Sequence, residues 1–171
     1  MTISMYKASV PVFIQHLTGL AGVLEKTKAH IEARKLDERF FLTMRLQADM
    51  FPLIRQVRAA CDHAVNCSSR LAGVDVPEFD NKDASIDDLK ARIEKTIAFL
   101  RTIKPEAVDG SEDREIVIKL PNAERTFTGL SLLLGFSLPN FFFHDATAYN
   151  ILRHCGVALG KRDFMGAPAK A

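Results

Sequence analysis

SLPNFFFHDATAYNILRHCGVALGKRDFMG, Ser137 to Gly166, is the stretch whose reading decides the fold. Pro139 stands where the first turn of a helix tolerates a missing N–H, and Ser137 just ahead is the candidate cap. At about 100° per residue, Phe141, His144, Ala148, Ile151, Leu152 and Cys155 fall on one side. Phe143, Asn150, Arg153 and His154 fall on the other. Phe142 and Phe143 lie off the main stripe, so the first turns are apolar nearly all round, as in a helix covered by several neighbours. Gly156 then stops the helix in the usual C-terminal glycine position. Gly160 to Gly166 reads as a short hook that docks Phe164, and the last five residues are expected to fray. One histidine, His144, faces inward from this central helix.

Upstream, residues 4–33 carry a helical stripe of Tyr6, Val10, Phe13, Leu17, Leu20, Leu24 and Ile31 at spacings of three and four. Ser4 could cap it, and Pro11 predicts a kink or an irregular first turn. Gly19 and Gly22 would admit a neighbour at close range. His16 lies at the edge of the stripe and His30 on the polar face, so both read as half-buried or solvated. Residues 34–49 form a connection rich in apolar side chains: Phe40, Phe41, Leu42, Met44 and Leu46. It reads first as a plug closing one end of a bundle, with a lid over a small-molecule pocket as the alternative.

A second helix is predicted from Asp49 as cap, with Pro52 in its first turn and Gly73 at its end. Ile54, Val57, Cys61, Ala64, Ser68 and Leu71 make its inward stripe. His63 then lies about 180° from Ile54, turned to solvent or a partner. After a polar, acidic loop over 74–84, Ser85-Ile86-Asp87-Asp88 resembles a capping box. Ile86, Leu89, Ile93, Ile97, Leu100 and Ile103 give the clearest helical stripe, which halts at Lys104-Pro105. The period then changes. Glu115 to Leu120 reads as a strand, Pro121 to Glu124 as a turn and Arg125 to Thr128 as a second strand. Leu130 to Phe136 is an apolar lead into the central helix. The sum is an all-α, single-domain chain over 1–171: a four-helix bundle with a small β-hairpin inserted before the last bundle helix.

Composition narrows the function classes. With 171 residues, 47% hydrophobic and 26% charged, the chain is an ordinary globular one. A net charge of +2 with dispersed Lys and Arg gives no footprint for nucleic acid. Gln15 and His16 interrupt the best apolar run below the roughly 18 residues a spanning helix needs, so no membrane contact is expected. That segment also lacks the flanks of a signal peptide. Three cysteines make no disulfide framework, and Cys61 and Cys67 have neither metal-ribbon nor redox-motif spacing. The expected setting is the reduced cytoplasm. No Gly-rich phosphate loop, G-x-S-x-G elbow or His-Glu-x-x-His helix is present. Asp87 with Asp88, and Glu112 with Asp113, read as cap and loop charges. Lys161-Arg162-Asp163 reads as solvated.

Three segments together resemble one family: SMYKASVPVFIQHL at the start, Arg45 to Ala64, and Phe127 to Gly166 with its LLGFSLPNFFFH and GVALGKRDF. It is a domain-of-unknown-function family, numbered nineteen ninety-three, within the DinB/YfiT-like superfamily. The resemblance implies a DinB-like bundle, bacterial origin, frequent dimerisation and no assigned activity. The expectation is therefore a homodimer. The wider superfamily includes metal-dependent enzymes acting on thiols, with three histidines holding a divalent ion: one on the second helix and two a turn apart on the last. Only His144 stands in the right region here. Ala148 and Asn140 occupy the positions a turn away, and His63 is in the wrong phase.

Two readings follow. The first is a protein without the metal triad and without a cofactor, binding a small molecule or serving a structural role. Its pocket candidates are His144 as the polar handle, with Phe141, Phe142 and Tyr149 around it and Tyr6 as a further candidate. The alternative is a divalent-metal-dependent transferase or hydrolase, with zinc or nickel on His144 and His63. Cys61 and Cys155 read as buried and inert.

Overall fold

A computed structural model describes residues 3–120 and 123–167. In chain order its elements are α1 (Val10–Arg34), α2 (Glu38–Thr43), α3 (Leu53–Ala72), α4 (Ile86–Leu100), α5 (Pro105–Val108), β1 (Glu115–Leu120) and β2 (Ala123–Thr128). There follow α6 (Gly129–Ser131), a π-helical segment (Leu132–Ser137), α7 (Leu138–His154) and α8 (Lys161–Met165). The four long helices α1, α3, α4 and α7 form the bundle. α3 packs most extensively on α7, and α4 lies against both α1 and α3. Phe13, Leu17, Leu20, Leu53, Leu71, Leu89, Ile93 and Phe141 are buried in its core. The antiparallel hairpin pairs Glu115 with Thr128 and Ile118 with Arg125.

Several ends fall where the sequence placed them. Ser85 accepts from the Asp88 N–H at 3.0 Å and Asp88 accepts from the Ala84 N–H at 2.9 Å, which closes the start of α4. Gly73 (φ +70°) and Gly156 (φ +87°) follow α3 and α7 in the left-handed region that favours glycine. Other boundaries move. α1 begins at Val10, so Pro11 sits in the first turn, where its missing N–H costs no helical bond, and no kink is needed. α3 begins at Leu53 with Pro52, not Asp49, in the cap position. The connection after α1 contains α2, whose Phe41 and Leu42 are buried as a plug. Ala123 and Glu124 belong to β2 instead of to a turn. Pro121 and Asn122, and residues 168–171 where fraying was predicted, lie outside the described residues.

The apolar run before α7 is itself helical and widened. Leu138 donates to the Leu133 carbonyl five residues back, and Ser137 makes no cap bond. Pro139 explains the widening: a regular turn would set its ring against the carbonyl four residues earlier. Asn140 Nδ2 meanwhile donates to the Phe136 carbonyl at 2.7 Å. The widened turn leaves Phe141 fully buried, Phe142 half-buried and Phe143 55% exposed. At the other end, α8 docks on α1 at Gly19, where an added Cβ would lie 3.0 Å from the Asp163 carbonyl oxygen. Gly19 therefore admits a neighbour as expected; Gly22 has nothing within 4 Å of such an atom.

Candidate functional site

α3 and α7 face each other along their length, and the polar residues on that seam form the site. Gln56 is only 1% exposed despite its amide. Its Nε2 donates to the Phe51 carbonyl at 3.0 Å, which leaves Oε1 toward His144 Nδ1 at 2.7 Å. An amide oxygen can only accept, so His144 carries its proton on Nδ1 and, when neutral, presents a lone pair at Nε2. The imidazole stacks on Phe51 on one hand (centroids 6.1 Å, planes 8° apart) and on His63 on the other (5.5 Å, 17°). Phe143 meets it edge-on at 5.3 Å.

This places His63 against the sequence reading. The half-buried His63 ring lies between His144 and Phe136, the latter at 5.7 Å. Ile54 misled because it is not the middle of the buried arc: Val57, Ala60, Cys61, Ala64 and Cys67 are, and the arc is broad because α4 and α7 both cover α3. On such a helix Gln56 and His63, seven residues apart, share one edge. Burial, then the neighbouring His144, pushes the His63 pKa from 6.5 down to about 4. Burial lowers that of His144 as well. At neutral pH the site holds two uncharged imidazoles.

A cavity of about 270 Å³ opens beside His144, lined by Asp49, Met50, Phe51, Gln56, Phe143 and His144. Of the five pocket candidates read from the sequence, only His144 lines it. Phe141 is fully buried against Phe13 at 4.9 Å, in the core. Phe142 packs on His16, Tyr149 on Phe164, and Tyr6 is half-buried at the α1 end, where its N–H donates to Asp109. The connection over 34–49 is a plug at Phe41 and Leu42, which are buried; of its residues only Asp49, at its end, borders the cavity, with Met50 and Phe51 just beyond.

A second buried pair escaped the sequence reading. His16, 7% exposed, meets Asp145, 2% exposed, at 3.2 Å. Burial raises the Asp145 pKa and the His16 contact opposes the rise. Phe142 and Phe164 close over the imidazole at 4.8 and 5.3 Å, so the pair ties α1 to α7 beneath the α8 hook. The available signal was one acidic residue in the apolar first turns of α7 and one histidine edging the α1 stripe. A larger cavity, about 510 Å³, lies between α4 and the preceding loop. Its Arg92 and Asp83 are committed to holding that loop.

The residues present do not fit a three-imidazole metal centre. His63 and His144 lie face to face, whereas two ligands of one ion converge through their edges, and Gln56 occupies His144 Nδ1. Among the described residues no three His, Cys, Asp or Glu side chains form a group that could hold a metal. No described helix is long and apolar enough to cross a membrane.

The model of the family called Domain of unknown function (DUF1993) matches residues 5–165. The chain belongs to that family. This DUF1993 protein also resembles the crystal structure of a DinB family member from Shewanella denitrificans. The two are 35% identical over 97% of this chain and 94% of that one, with a TM-score of 0.86. Among curated proteins none matches it. The DUF1993 chain thus has the DinB-like bundle that its sequence resembled, and its α3–α7 seam carries Gln56, His63 and His144.

Proposed function

We propose that this protein binds a small, largely apolar molecule in the cavity beside His144. The observation that carries the reading is the fixed imidazole: Gln56 holds Nδ1 at 2.7 Å, and Phe51 and His63 stack on the ring. Here one nitrogen is anchored, and the ring borders an apolar cavity that includes Phe51 and Phe143. Apolar walls with one oriented polar handle describe a small-molecule site. At about 270 Å³ the cavity suits a fragment-sized ligand with a single ring. Ligand-observed NMR with a panel of one-ring fragments tests this. Binding to the native protein, and at least a tenfold loss in a folded His144→Phe variant, is the expected result. Fragments that bind both proteins equally, or neither, contradict it.

A further inference from the structure

The polar atoms on the cavity wall decide what charge the ligand carries. Gln56 has its Oε1 on His144 and its Nε2 on the Phe51 carbonyl. His144 has its Nδ1–H on Gln56, which leaves Nε2 as an acceptor. The other polar lining side chain is Asp49, a carboxylate that accepts only. Asp49 forms none of the ion pairs found among the described residues. Met50 and Phe143 complete the wall with a thioether and an aromatic ring that tolerate or attract a cation, beside the Phe51 ring, one face of which Arg55 already covers.

Two arginines stand near without lining the cavity. Arg55 stacks on the Phe51 ring at 3.8 Å and lines a separate cavity with Arg58 and Asp62. Arg45 is turned to the Ala48 and Met50 carbonyls at 3.4 Å. Neither offers a donor among the lining residues.

Resting on the pocket reading above, we infer that the ligand is an organic cation, an amine whose ammonium donates to Asp49 and His144 Nε2 while its apolar body lies along Phe51 and Phe143. An anion would meet a carboxylate and a lone pair, both repulsive.

Three probes of nearly one shape separate the possibilities by isothermal titration at pH 7 and low salt: phenethylamine, 2-phenylethanol and phenylacetate. The amine is expected to bind about tenfold more tightly than the alcohol, with the acid weakest, as one close opposite charge at a surface site provides. Asp49→Asn, at a solvent-exposed position, should bring the amine to the level of the alcohol. Equal or tighter binding of the alcohol or acid would overturn the cation assignment and leave the pocket standing; tight phenylacetate would place recognition on Arg45 or Arg55. Amine affinity unmoved by Asp49→Asn would also overturn the assignment. Failure of all three to bind would overturn both readings.

Discussion

Gly129→Ala is expected to lower folding stability by about 3 kcal/mol, because the added methyl has nowhere to go. A Cβ there would sit 2.0 Å from the Ser111 carbonyl oxygen and 3.0 Å from its carbon, both backbone atoms that no rotamer change can remove. Gly129 follows β2 directly, and the neighbouring Leu130 N–H donates to the Glu112 carbonyl at 2.9 Å. Relieving the clash therefore parts the helix start from the 111–112 turn and drags the hairpin with it. Gly22 is the control. Exposed in mid-α1 with nothing within 4 Å of an added Cβ, it should gain up to about 1 kcal/mol on replacement by alanine. Thermal denaturation of the two variants should move in opposite directions; a Gly129→Ala protein as stable as the parent would refute the close contact.

Asp83→Ala should cost about 3–5 kcal/mol, since it leaves a buried guanidinium without its carboxylate. Arg92 is 4% exposed and reaches Asp83 through Nε at 3.1 Å and Nη2 at 2.9 Å, with the Asp80 carbonyl as a further acceptor. Arg58 Nε donates to the same carboxylate at 2.7 Å, and its Nη2 donates to the Asn81 and Asp83 carbonyls, each at 2.9 Å. Burial alone would raise the Asp83 pKa, but these two guanidiniums hold it below the ordinary carboxylate range. In a chain of this size such a loss lowers Tm by about 10 °C. Adding Arg92→Met to Asp83→Ala should recover part of it, because the buried charge goes with its partner. Strictly additive losses would show that the pair is not coupled.

The same cluster shows where local sequence information ends. Residues 74–84 read as a polar, acidic loop and no more, whereas Asp83 is drawn inward by Arg58 on α3 and Arg92 on α4, one of them 25 residues away. By contrast the stripe Ile86, Leu89, Ile93 and Leu100 announced α4 without help, since one apolar face against one core needs only helical spacing. The β-branched run Ile116-Val117-Ile118 announced β1 equally well. His144 was legible as an inward histidine on an apolar helix. Its partners were not: Gln56 lies 88 residues earlier, and a glutamine on a helix edge looks the same whether it meets water or an imidazole. A stripe centred on Ile54 turns His63 outward, and only the simultaneous packing of α4 and α7 on α3 sets the true phase. The widened turn at Leu132–Ser137 was hidden for another reason: it is a response to Pro139, and apolar periodicity alone does not record it.

The state of the His144 ring is the claim on which the pocket depends, and it has a consequence for pH. His63 binds a proton near pH 4 when folded but near 6.5 when unfolded. The unfolded chain therefore holds more protons between those values, and stability falls as pH drops through that window. Long-range proton–nitrogen correlation of the histidine rings, followed from pH 7 downward, reads both sites at once. At pH 7 His144 should be neutral, with its proton on Nδ1 and a bare Nε2, beside a His63 that stays uncharged until about pH 4. A proton on Nε2 of His144, or an imidazolium at neutral pH, would contradict that assignment and remove the acceptor on which the ligand proposal rests.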